Sequence, residues 1–167
     1  HDKLALEVAH KSIILLKNEN GTLPLKAETL RRIAVIGPNA DAVRLGGYSR
    51  GKLKYFVTIL QGIKNFVGDQ IEVAYAEGAG IDTELPVSDS DLIKDIEVTR
   101  YAEKSRSVTD TPDSKKIDEA VTLARQSDIV IMAIGGSEAT CRENEDTDYL
   151  GLRGRQLEMV QAVHATG

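Results

Sequence analysis

Residues Ile129 to Gln156 read I-V-I-M-A-I-G-G-S-E-A-T-C-R-E-N-E-D-T-D-Y-L-G-L-R-G-R-Q. The stretch opens as an apolar run, Ile129 to Ile134, and breaks at Gly135-Gly136. Five carboxylates then follow within eleven positions: Glu138, Glu143, Glu145, Asp146 and Asp148. An apolar run without polar alternation suits a strand covered on both faces, as in a parallel sheet flanked by helices. The loop just past the carboxyl end of such a strand is held by a rigid scaffold yet faces solvent, which is where open α/β sheets place their ligand chemistry. The pattern therefore predicts a buried strand that delivers an acidic loop.

Working outward, Ser114 is expected to cap a helix carrying Ile117, Ala120, Val121 and Ala124, which ends at Ser127-Asp128 just before the strand. After the acidic loop, Leu157, Val160, Gln161 and His164 line one side of a helix over 153–165. Earlier in the chain, Ile33-Ala34-Val35-Ile36-Gly37 is another buried-strand signal and ends in Gly37-Pro38-Asn39-Ala40-Asp41. That loop reads either as a ligand turn or as a plain Pro-Asn turn, since Asn and Asp side chains bond their own backbone. No glycine-rich phosphate motif follows it, which argues against a dinucleotide or P-loop site.

Thr58 is a cap for a helix reaching Phe66, with Ile59, Leu60, Ile63, Phe66 and Val67 as its apolar stripe and Gly68 closing it. Ile71 to Ala76 alternates like a strand, completing a β-α-β unit that requires a right-handed crossover. At the start of the chain, Asp2 is the expected cap of a short helix that passes into a buried strand at Ile13–Leu16. Residues 77–113 lose all pattern and read as an irregular insertion.

The fold class that emerges is α/β, a mostly parallel open sheet with helices on both faces, missing its last strand because the final helix should lead into another. Two parts are expected: residues 1–28 as a linker helix and docking strand, and residues 29–167 as a truncated α/β sandwich domain.

Bulk properties narrow the function classes. The chain has 167 residues, 41% hydrophobic and 28% charged, with a net charge of −5. Its cationic residues are scattered and aromatics make up only 4%, so neither a nucleic-acid footprint nor a base-stacking platform is present. No run approaches the length of a membrane span. Cys141 is alone, and His1, His10 and His164 sit in no ligand motif, so neither a disulfide nor a metal site is expected and no cofactor is implied.

Several motifs, in order, resemble one known family. They are Ser12-Ile13-Ile14-Leu15-Leu16-Lys17-Asn18-Glu19 with Leu23-Pro24-Leu25, then Ile33 through Asp41, Gly46-Gly47-Tyr48-Ser49, the strand at Ile129, and Leu150-x-Leu152-x-Gly154-x-Gln156. Together they are similar to the carboxy-terminal α/β sandwich domain of glycoside hydrolase family 3. The resemblance departs at Arg153, where members usually carry proline. It implies a retaining β-glycosidase, of β-glucosidase or β-xylosidase type, acting on oligo- or aryl-glycosides. The nucleophile would come from an amino-terminal barrel domain of the same parent chain, so this fragment alone is expected to be inactive. A secreted or periplasmic setting is implied in the same way.

Retaining hydrolysis needs one carboxylate to attack the anomeric carbon and a second carboxyl group to protonate the leaving oxygen and then deprotonate water. By resemblance, Glu138-Ala139-Thr140-Cys141-Arg142-Glu143 reproduces the family spacing that leads to the catalytic glutamate, with Cys141 in place of an aromatic. Glu143 is thus the expected general acid/base and Glu145 the alternative, while Arg142 and Glu138 are expected to contact substrate. The resemblance extends to an acidic cluster near Arg142-Glu143-x-Glu145-Asp146 that many xylosidase-like members carry, which implies xylose slightly over glucose. Two plainer readings compete: a solvated acidic loop on a structural α/β module, and a module that binds a small ligand at its strand ends.

Overall fold

The computed structural model describes residues 1–44, 55–81, 113–137, 140–141, 143 and 150–167. Four α-helices and three strands are found among them: α1 (Asp2–Ser12), β1 (Arg32–Ile36), α2 (Ile59–Val67), β2 (Glu72–Ala76), α3 (Asp113–Arg125), β3 (Ile129–Met132) and α4 (Gln156–His164). The strands form a parallel sheet in the order β2-β1-β3. Ala34 stands between Ala74 on one side and Val130 on the other. The α/β class and the parallel sheet are as the apolar runs predicted.

β1 is central, and Ile33, Ala34, Val35 and Ile36 are all buried. Side chains alternate across a strand, so these four serve two cores. Ile33 and Val35 pack with Leu60 of α2, Ile71 and Ala133 on one face, while Ala34 and Ile36 pack with Ile117, Ala120 and Ala124 of α3 and Met159 and Val163 of α4 on the other. Helices therefore cover both faces, which is why β1 reads as an unbroken apolar run.

Local chemistry sets the element ends. The Thr58 hydroxyl accepts the Gln61 N–H at 3.1 Å and donates to the Asp41 carboxylate at 2.8 Å, while the Gly68 N–H closes α2 on the Lys64 carbonyl. At the amino ends of the strands, the Asp128 carboxylate accepts the N–H groups of Arg31 at 2.7 Å and Arg32 at 2.8 Å. Those two bonds hold the Asp128 carboxyl below the ordinary aspartate range. The Arg32 guanidinium then reaches Glu72 at 3.0 Å, joining β1 to β2.

Five expectations are corrected. Ile13–Leu16 forms no strand among the described residues, and its side chains stand 63–91% exposed; strand propensity without a partner ladder does not make a strand. α1 starts at Asp2 with His1 as its cap, so Asp2 contributes its charge to the first turn instead. α3 likewise runs from Asp113, which puts Ser114 inside the first turn, with the Asp113 carboxylate 3.9 Å from Lys116. In α2, Leu60, Ile63 and Val67 face the sheet, whereas Ile59 and Phe66 lie about 100° round the helix and Phe66 is 90% exposed. α4 begins at Gln156, and its buried line is Gln156, Met159 and Val163, with Leu157 half exposed. A polar residue occupies an inward position there, so a reading by hydrophobicity alone puts the stripe one residue out of register. The irregular insertion lies largely outside the described residues, as does the Gly46-Gly47-Tyr48-Ser49 motif.

Candidate active-site loop at the carboxyl ends of the strands

The order β2-β1-β3 has a direct chemical consequence. From β1 the chain crosses to β2 on one side, then returns to place β3 on the other, so the strand order reverses between β1 and β3, the place where open α/β sheets put their ligand sites. The loop after β1 is Gly37–Asp41, and the loop after β3 is the acidic one.

Backbone bonds tie these loops together at their roots. The Ala133 N–H donates to the Ile36 carbonyl at 2.7 Å, and the Asn39 N–H donates to the Ala133 carbonyl at 3.1 Å. Further out, the Asn39 carboxamide reaches the Gly136 carbonyl at 3.5 Å, and its oxygen accepts the Arg44 Nε–H at 2.9 Å. Gly37 has φ +128°, and an added Cβ would run into the Ala133 carbonyl. The two loops leave the sheet in contact, and glycine is what lets them do so.

Past Gly136 the chain closes a tight turn. The buried Thr140 hydroxyl accepts the Ser137 N–H at 3.0 Å and donates to the Ser137 carbonyl at 2.9 Å, a carbonyl that also takes the N–H groups of Thr140 and Cys141. Glu143 follows three residues later in an exposed turn. Of the other sequence-predicted site residues, Glu138, Arg142 and Glu145 lie outside the described residues.

A second anchor sits where the loop re-enters the fold. Gln156, the first residue of α4, is fully buried. Its Oε1 accepts the Gly135 N–H at 2.9 Å, and its Nε2 donates to the Gly135 carbonyl at 3.2 Å and the Arg153 carbonyl at 2.9 Å. Sequence reasoning placed Gln156 in a motif but gave it no role at the site. No local sequence signal marks it, because its role depends on bonds to Gly135, 21 residues earlier.

Two carboxylates lie past the carboxyl ends of β1 and β2: Asp41 in the loop after β1, and Glu77 directly after β2. The Tyr75 side chain is 41% exposed, yet partial desolvation of its phenol, reinforced by the charges of Glu77 and Asp41, pushes it up to about 12. Lys116, nearly buried, answers Glu77 at 3.0 Å. Among the described residues no cluster of three or more His, Cys, Asp or Glu side chains is arranged to hold a metal ion.

Comparison with known proteins places this geometry in a family. The model of the glycosyl hydrolase family 3 C-terminal domain matches residues 13–167. A β-xylosidase of Formosa agariphila is 37% identical across the whole chain, which covers 20% of that protein. A periplasmic β-glucosidase of Salmonella typhimurium is 36% identical, again across the whole chain and over 21% of its own length. Among solved structures, a β-glucosidase from Erythrobacter marinus superimposes with a TM-score of 0.74 at 35% identity, covering all of this chain and 22% of that one. The chain thus spans about a fifth of the length of these relatives, and it belongs to the C-terminal domain family of the family 3 glycoside hydrolases.

Proposed function

We propose that this chain is the second domain of a retaining, exo-acting β-glycosidase that removes terminal β-linked glucose or xylose. In this reading the acidic loop supplies the general acid/base, and the nucleophilic carboxylate comes from an amino-terminal barrel domain outside these residues. The observation that carries the proposal is positional: an acidic loop follows β3 where the strand order reverses, rooted against the loop after β1. Glu143 is the acid/base of the proposal and Glu145 the alternative, with Arg142 and Glu138 as the substrate contacts. The chemistry asks for a second carboxyl group roughly 5–5.5 Å from the nucleophile, and a loop on a rigid sheet is suited to reach over a barrel mouth and provide it.

The exposed run Ile13–Leu16 supports the same reading. Four large aliphatic side chains in water forgo about 1.5–3 kcal/mol each relative to burial, so a second domain packed on this segment would be favoured. Both sugar types appear among the relatives' names, and the acidic cluster inclines the proposal to xylose. The isolated domain, lacking the nucleophile, is expected not to turn over substrate.

The test is Glu143→Ala in the full-length parent enzyme, assayed on aryl β-xylosides and β-glucosides of graded leaving-group pKa. Loss of the acid should depress kcat/KM by about 100-fold or more on poor leaving groups and little on activated ones. On activated substrates azide should restore kcat by attacking the glycosyl-enzyme, with β-glycosyl azide as product. Uniform loss on every substrate, or none, removes Glu143 from the role and moves the same assay to Glu145. Failure there would leave the domain structural.

A further inference from the structure

We propose that Gln156 is a positioning residue, whose buried carboxamide fixes the loop carrying Glu143 and thereby sets the reach of that carboxyl group. The inference rests on the function proposed above.

Gln156 is among the largest fully buried side chains described, with Ile36, Met159 and Val35. A buried amide must find partners for its polar atoms or destabilise the fold. All three partners here are backbone groups, and they belong to the two ends of one loop: Gly135, where the chain leaves β3, and Arg153, where it turns into α4. One side chain thus closes the base of the segment from Gly135 to Gln156, taking both the N–H and the carbonyl of Gly135. That double contact holds the peptide units on both sides of Gly135. Thr140 bonds both backbone groups of Ser137, two residues on from Gly135, and Glu143 stands three residues past Thr140. Misplacing a catalytic group by even 1 Å can cost about 100-fold in rate.

The competing account is that Gln156 only satisfies the first turn of α4. That account predicts a less stable protein with unaltered chemistry, whereas a positioning role predicts a defect that follows the demand for acid catalysis.

The experiment uses the full-length parent enzyme. Gln156→Met keeps the side chain's length and removes all three bonds. Gln156→Glu keeps the shape and the bond from the Gly135 N–H but sets a second oxygen against the carbonyls of Gly135 and Arg153. Both are assayed beside Glu143→Ala for kcat/KM on the graded aryl glycosides and for thermal unfolding, below the midpoint of each variant. The positioning role predicts that Gln156→Met loses about 100-fold on the poorest leaving group and stays close to the parent on the best. Azide should give no rescue, because the Glu143 carboxylate still guards the glycosyl-enzyme. If Glu143→Ala itself lacks the leaving-group dependence and the azide rescue, the acid/base reading falls and this inference falls with it. If Glu143→Ala behaves as expected while both Gln156 variants lose activity evenly, or lose thermal stability alone, the positioning role is overturned. Should Gln156→Met fail to fold, Gln156→Glu decides by the same slope.

Discussion

Gly37→Ala puts a methyl group where the sheet leaves no room for one. Gly37 follows the last residue of β1 with φ +128°, and the added Cβ would lie 2.8 Å from the carbonyl carbon of Ala133 and closer still to its oxygen. Carbon atoms rest at 3.5 Å or more, so Ala133 must retreat by roughly 1 Å. That retreat stretches the bond from the Ala133 N–H to Ile36, now 2.7 Å, and the bond from the Asn39 N–H to Ala133, now 3.1 Å. Two backbone bonds at about 1 kcal/mol each, added to backbone strain of about 1–3 kcal/mol, give a cost of about 3–5 kcal/mol. Gly135→Ala is the internal control. It has the same φ of +128°, but its nearest neighbour would be Asn39 Nδ2 at 3.8 Å, so only the strain of about 1–3 kcal/mol applies. Amide hydrogen exchange of the parent protein, read by mass spectrometry on segments covering 33–41 and 129–137, reports local opening directly. Gly37→Ala should lower protection there by about 100-fold or more, and by about 30-fold beyond Gly135→Ala. Equal exchange in the two variants would refute the argument that the two loops are held in contact by the absence of a side chain at Gly37.

Two further outcomes concern pH. The Tyr75 phenol, pushed from 10.0 to about 12 by partial desolvation and by Glu77 and Asp41, stays protonated in the fold after the unfolded chain has released its proton. Stability should therefore fall as pH rises between those two values, and Tyr75→Phe should flatten that decline in denaturant midpoints measured across the window; an unchanged slope would contradict the assignment. Asp128 works in the opposite direction, since the N–H groups of Arg31 and Arg32 hold its carboxyl below the ordinary 3.8. Its contribution is present above the ordinary carboxylate pKa and is lost as pH falls through the depressed value. Asp128→Asn should give an acid limb of unfolding that converges on the parent at low pH, and parallel curves would count against it.

The strands of the sheet were legible because burial on both faces leaves an unmistakable signature. Ile33–Ile36 has no polar alternation, and a central parallel strand is the arrangement that asks for none; Ile129–Met132 carries the same kind of run and does form a strand, but it is half-buried at the edge of the described sheet rather than buried as expected. Caps were legible where one side chain does a local job: Thr58 bonds an N–H three residues away, and nothing beyond the helix start is needed to foresee it. Ile13–Leu16 misled for the converse reason. Its composition is that of a strand, but a strand exists only with a partner ladder, and within the described residues nothing offers one. The exposed placing of Phe66 follows the same rule, because an apolar residue flanking a stripe is buried only if something lies beside the helix to cover it.

The loop chemistry was legible in a different measure. Glu143 is proposed because carboxylates beyond an apolar strand are visible in the sequence, and the resemblance to the family spacing picks one among five. Gln156 could not be picked out in this way, since its role depends on a bond to a residue 21 positions earlier, and glutamine at a helix start is ordinary surface composition. Yet the fold makes the two inseparable. Met159 and Val163 place α4 against Ile36 and α3, and that register brings the residue one turn before Met159 to face Gly135. Slide α4 by one residue and Leu157 would stand there, leaving the Gly135 N–H and carbonyl buried without partners. The packing of the core thus fixes where the acidic loop is tethered, and a substitution at the fully buried Met159 should be felt at Gly135 before it is felt at the far end of the sheet.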